Sequence, residues 1–268
     1  MPRAVILTYS VSPNAEAVAA VAAQLFTDTA ISAVSAKGVA RIAISGGSTP
    51  KRMFTQLADP AKPYAAAVPW DKLELFWVDE RCVPPDHADS NYKMTKAALL
   101  DHVPLPASRV HRMEGELDPA EASAKYESDI RNTFKLEGAE TPAFDLILLG
   151  MGDDGHTASL FPHTEALHEM SLIVTPNHVP QKDTWRITLT LPVILHGKKV
   201  AFLIEGAGKA EILADVLLGA YDPESKPSQL IRPVSGELSL LLDSPAATKL
   251  PAPAVSGSET AVGILELS

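Results

Sequence analysis

The sequence predicts an α/β fold, a Rossmann-like, mostly parallel sheet flanked by helices. Two observations carry this expectation. Short aliphatic and β-branched runs alternate along the chain with stretches of helical spacing, the order expected when each strand feeds a crossover helix. Three of the runs end at unusual loops, 45–50, 79–85 and 150–157, and a parallel sheet gathers the carboxyl ends of its strands in one crevice.

The elements follow in order. Residues 4–9 read as a first strand, broken at Ser12-Pro13-Asn14 as a strand-to-helix turn would break it. Asn14 is the expected cap of a helix in which Val18, Val21, Ala22 and Leu25 keep the i, i+3, i+4, i+7 spacing. The opening apolar run is too short for a signal peptide, and no window reaches about 18 uninterrupted apolar residues. Residues 39–44 form the next strand, then a glycine loop and a helix through Leu57. Further strands are expected at 73–78, 144–149, 186–191, 200–204 and 238–242. Helices are expected from Ser90 to about Leu100, from Pro119 to about Leu136, and over 209–218. The whole of 1–268 reads as one domain, with 246–268 a loosely held tail because Pro and Ala cluster over 244–253.

Composition narrows the function. Hydrophobic residues are 46% and charged residues 21%, enough for an ordinary core. A net charge of −10 argues against nucleic acid as partner, yet a few Arg and Lys converging on one pocket would bind a small anion. The single cysteine, Cys82, rules out an internal disulfide framework and points to the cytoplasm. No Cys/His spacing suits zinc; the acidic pair Asp153-Asp154 could hold a divalent ion, but no metal or cofactor is expected.

Three motifs carry chemistry. Ser45-Gly46-Gly47-Ser48-Thr49-Pro50 lies between a strand and a helix. Its glycines let backbone N–H groups approach an anion, or it is an ordinary turn with Thr49 as cap and Pro50 at the first helical position. Asp79-Glu80-Arg81 offers a guanidinium with acids to orient it, or a solvated charge cluster. Gly150-Met151-Gly152-Asp153-Asp154-Gly155-His156 is the strongest signal: glycines bracket two carboxylates and a histidine straight after the most apolar strand. His156 is the candidate general base, oriented by Asp153 or Asp154. Arg186 opens a strand, and Lys209, after Gly206-Ala207-Gly208, opposes a helix dipole unless it meets an anion.

These segments resemble the 6-phosphogluconolactonase family, within the glucosamine-6-phosphate deaminase/isomerase, ribose-5-phosphate isomerase and CoA-transferase-like fold group. The resemblance rests on 45–50, Trp77-Val78-Asp79-Glu80-Arg81, His87-Ala88-Asp89-Ser90-Asn91-Tyr92, 152–162, 186–192 and Gly208-Lys209-Ala210-Glu211. It implies metal-free hydrolysis of 6-phospho-D-glucono-1,5-lactone in the oxidative pentose phosphate pathway. It makes His156 the base and Ser45, Gly46, Gly47, Ser48, Thr49, Asp79, Arg81, Arg186 and Lys209 the phosphate and substrate pocket. The alternatives are a sugar-phosphate isomerase or deaminase, whose Asn-Glu-Pro segment after the histidine is here Ala158-Ser159-Leu160-Phe161-Pro162, or a non-catalytic sugar-phosphate sensor. The expected partner is a phosphorylated sugar lactone, without membrane or nucleic acid, for a monomer or weak homo-oligomer.

Overall fold

The computed structural model describes residues 5–252 and 260–267. β1 (Val5–Ser12) leads into α1 (Ala15–Lys37). Asn14 caps this helix by accepting a hydrogen bond from the Ala17 amide, and Gly38, at φ 79°, closes its other end. α1 has the length and apolarity of a membrane span, but Val18, Ala22, Phe26 and Ala30 are fully buried within the fold. β2 (Ala40–Ile44), α2 (Ser48–Leu57), α3 (Pro63–Ala67) and β3 (Leu73–Trp77) follow. β3 runs through Val78 into β4 (Asp79–Arg81). Next come α4 (Asn91–Thr95), capped by Ser90, then β5 (Val110–His111) and α5 (Pro119–Phe134). β6 (Leu146–Leu149), β7 (Val174–Val179), β8 (Thr184–Leu189) and α6 (Leu191–Leu195) lead to β9 (Lys199–Ile204). α7 (Ala210–Leu218), β10 (Glu237–Asp243) and β11 (Ala261–Leu267) complete the described chain.

Eight strands form one sheet in the order β11-β1-β10-β9-β6-β2-β3-β5, parallel except for β11. The central strands are covered on both faces. Ile42 and Leu148 face the core under α1 and α2, while Ala43, Ile147 and Leu149 face the one under α5 and α7. That double burial is why residues 144–149 read as an unbroken apolar run. Each large apolar side chain so buried contributes roughly 1.5–3 kcal/mol. The strand order also sets β9, β6, β2 and β3 side by side, so the chain leaves them at Glu205, Gly150, Ser45 and Val78 along one rim.

The structure corrects several expectations. Asp79-Glu80-Arg81 is a strand rather than a loop, in a second, three-stranded antiparallel sheet ordered β4-β8-β7. The strand at Arg186 belongs to that small sheet, not to the parallel one. Thr49 is not the cap of α2: Gly47, at φ 114°, holds that position, and Thr49 and Pro50 lie inside the first turn. β5 and β7 were not expected. Within the stretch read as a loosely held tail, Ala261–Leu267 pairs antiparallel with β1 as an edge strand. Its mixed small and apolar residues gave no period-2 signal against the Pro/Ala run before it.

One ion-pair cluster ties β5 to the fold. The His111 ring stacks on Phe76 at 4.2 Å and 5°, with Nδ1 2.8 Å from Asp129 and Nε2 2.9 Å from Glu74. A neutral imidazole carries one N–H, so only the imidazolium donates to both carboxylates. Burial pulls the His111 pKa down, but the bonds to Asp129 and Glu74 outweigh it and raise the pKa above 6.5. A raised folded pKa stabilises fully below the unfolded value and is lost as pH rises through the folded one. Urea unfolding should therefore show wild-type stability declining above pH 6.5 more steeply than that of His111→Gln. Parallel pH profiles for the two proteins would refute this role.

Candidate active site

The rim formed by these four strand ends borders a cleft of about 380 Å³. Every residue selected from the sequence lines it except Asp153 and Asp154, which stand behind His156 and Lys209.

The 150–157 loop is shaped around the histidine. Gly155, at φ 77°, allows its amide to reach the Gly152 carbonyl at 3.1 Å. The Gly152 amide in turn reaches the His156 carbonyl at 2.8 Å, and the Thr157 hydroxyl donates to the Gly150 carbonyl at 2.8 Å. This folding sets Asp154 under the ring: its Oδ1 accepts the His156 amide at 3.1 Å and Nδ1 at 2.5 Å. Partial burial pushes the Asp154 carboxyl up, but the hydrogen bond and charge of His156, with the backbone amides, bring it down to about 2. An ionised carboxylate only accepts, so Nδ1 carries the proton and the neutral ring keeps its lone pair on Nε2. Phe161 stacks on the imidazole at 3.9 Å and 21° and fixes its plane. Asp153 does not orient the histidine. It is exposed and pairs with the ammonium of Lys209, which offsets the cost of a cation at the start of α7.

The opposite wall is cationic. Register places Arg81 directly across from Arg186. Like charges facing each other across strands destabilise a sheet, which makes sense where an anion is received. Both Nε atoms are buried and unpartnered, while an Arg81 Nη1 donates to the Asp89 carbonyl at 2.5 Å. Burial and then the Arg81 charge lower the pKa of Arg186. The acids beside Arg81 do not orient its guanidinium. Asp79 accepts the Ser159 hydroxyl at 2.7 Å, and the buried Glu80 accepts the amides of Arg81, Asn91 and Tyr92 at 2.7–2.8 Å. Burial raises the Glu80 pKa against those amides.

At the glycine loop the roles divide. The Ser45 hydroxyl is spent on the Leu148 carbonyl at 2.6 Å, joining β2 to β6, and Ser48 donates to Glu205 at 3.2 Å. Gly46 has no room for a side chain, because a Cβ would lie 1.8 Å from Oδ1 of Asn91. Asn91, Ser159, Phe161, Lys182 and Glu205 also line the cleft but were not selected. Glu205 was findable, since it follows a predicted parallel strand at its carboxyl end. Asn91 reaches the cleft only through the turn that Glu80 anchors, and Lys182 only through the β7–β8 hairpin. Asn91 lies in the 87–92 stretch that carried the resemblance but has no chemical signal of its own, and Lys182 has no local signal. Among the described residues no three His, Cys, Asp or Glu side chains group as a metal site would need.

An α/β sheet with a glycine-loop helix start, an oriented histidine and a cationic wall defines a protein acting on small anionic metabolites. The chain belongs to the glucosamine-6-phosphate isomerases/6-phosphogluconolactonase family, whose profile matches residues 13–240. It is 43% identical over 220 residues to a 6-phosphogluconolactonase of Synechocystis sp., covering 81% of this chain and 88% of that one. To that of Nostoc sp. it is 42% identical over 245 residues, covering 91% and 98%. The solved 6-phosphogluconolactonase from Trypanosoma cruzi superposes with a TM-score of 0.77 at 30% identity, covering 91% of this chain and 97% of that one. A monomeric glucosamine-6-phosphate deaminase, TM-score 0.72 at 20% identity over 91% of this chain and 99% of that one, shares the fold.

Gly152 is the residue on which the histidine geometry turns. A Cβ there would lie 2.0 Å from His156 Nδ1 and 2.6 Å from Asp154 Oδ1. In a crystal structure of Gly152→Ala the Nδ1–Oδ1 contact should open beyond about 3.2 Å, the limit of a sound hydrogen bond. A retained contact would show that the loop tolerates a side chain.

Proposed function

We propose that this chain hydrolyses 6-phospho-D-glucono-1,5-lactone to 6-phospho-D-gluconate, the lactonase step of the oxidative pentose phosphate pathway. The observation that carries the reading is the His156–Asp154 pair in a cation-lined cleft. A lactone is an activated ester, and a base that delivers water suffices to open it. His156 Nε2 takes a proton from a water as its oxygen attacks C1. The tetrahedral oxyanion is held by cleft N–H groups and cations. As the bond from C1 to the ring oxygen breaks, protonated His156 returns the proton to that oxygen, leaving the acid and the original imidazole. Asp154 stays ionised throughout and stabilises the imidazolium between the two transfers.

The phosphate belongs at the Gly46–Thr49 loop, where the amides opening the ten-residue α2 and Lys209 offer donors and positive charge. Arg81 and Arg186 then face the other end of the sugar acid, where hydrolysis creates a second anionic group, the carboxylate. The enzyme uses no metal, cofactor or covalent intermediate. It acts as one unit spanning 1–268, a monomer or weak homo-oligomer in the cytoplasm, with no nucleic-acid or membrane partner. The charge of −10 and the lone Cys82, whose thiol burial pushes up to about 11, support that setting.

Freshly generated lactone incubated with the protein should open far faster than its background hydrolysis, and exhaustive chelation should leave the rate within about twofold. Ammonia release from glucosamine 6-phosphate would instead identify a deaminase. Binding of 6-phosphogluconate without turnover would identify a sensor. A rate lost on chelation and restored by one divalent ion would overturn the metal-free mechanism.

A further inference from the structure

Glu205 is an odd occupant of an anion site. It ends β9 beside the opening turn of α2, lines the cleft, and is only 13% exposed. Its Oε1 accepts the Ser48 hydroxyl at 3.2 Å and lies 3.5 Å from the Arg52 guanidinium. Its Oε2 is buried without a hydrogen-bond partner. The carboxylate thus occupies the positive end of a ten-residue helix, and it engages one nearby cation and one hydroxyl of the loop assigned above to the phosphate. Half of its hydrogen-bonding capacity goes unused, which is costly for a buried charged oxygen. The neighbouring backbone does not depend on this side chain: Ile204 completes the register with β10, and the Gly206 amide is held by Asp243 at 2.9 Å.

We propose that Glu205 is a positioning residue of the phosphate subsite whose charge weakens the hold of this site on the phosphate group. This rests on placing the phosphate at the Gly46–Thr49 loop. A phosphate there meets a like charge beside the same helix end, which opposes its binding. Weakening that acts equally on substrate and product raises KM and speeds release of 6-phosphogluconate. The cleft reads the phosphate, yet the product does not stay.

The experiment is calorimetric titration of wild type, Glu205→Gln and Glu205→Ala with 6-phosphogluconate, inorganic phosphate and gluconate, with thermal unfolding to confirm each fold. Glu205→Gln keeps the shape and an acceptor for Ser48 but loses the charge. Both variants should bind 6-phosphogluconate and phosphate about three- to tenfold more tightly, the size expected for one partly screened like charge. Gluconate affinity should stay within about twofold. Unchanged or weaker 6-phosphogluconate binding in a folded Glu205→Gln overturns the proposal, as does equal tightening of gluconate. Tightening in Glu205→Ala alone also overturns it, because room rather than charge would be the cause. If wild type itself shows no preference for 6-phosphogluconate over gluconate, the phosphate reading fails first, and this proposal falls with it.

Discussion

The contact between His156 Nδ1 and Asp154 is the interaction on which the rest of the site depends. It forces the proton onto one nitrogen and leaves the other as a base. It also requires a chain that turns back on itself within three residues, so Gly152 has no side chain to collide with the ring and Gly155 adopts a left-handed conformation. Phe161 then locks the ring from one face. The dyad is local in sequence, but its use is not. It becomes a site only because β6 lies between β2 and β9, which brings the glycine loop to one side of the histidine and Glu205 to the other.

The small antiparallel sheet is the second constraint. β3 does not stop at the rim but continues as β4, and Tyr126 makes that possible. Its hydroxyl accepts the Trp77 amide at 2.9 Å and donates to the Trp77 carbonyl at 3.0 Å, satisfying backbone that the parallel sheet no longer pairs. β4 and β8 then hold two guanidiniums side by side over the cleft. The cations therefore stand on strands rather than on mobile loops, a rigid support for reading a charged ligand.

Much of this was legible in the sequence. The central strands announce themselves because double burial demands continuous apolar residues, and the glycine-bracketed His156 stands out because such turns are otherwise costly. Asp154 and Asp153 could not be told apart by spacing. Their roles separate only through the turn at Gly155 and the long-range approach of Lys209, 56 residues away. Asp79-Glu80-Arg81 looked like a charged loop because a three-residue strand has no periodicity to detect; its partner lies more than a hundred residues on. β11 was hidden for a similar reason, its pairing with β1 joining opposite ends of the chain.

The most direct test of the account is a comparison of kcat for lactone opening, corrected for background hydrolysis, among wild type, His156→Asn, Asp154→Asn and Asp153→Asn. His156→Asn keeps much of the shape but accepts no proton, and should lose at least about two orders of magnitude while still binding 6-phosphogluconate. Asp154→Asn should follow with a smaller but clear loss, and Asp153→Asn should lose least, since it touches Lys209 rather than the ring. A folded His156→Asn enzyme turning over near the wild-type rate would contradict the account at its centre.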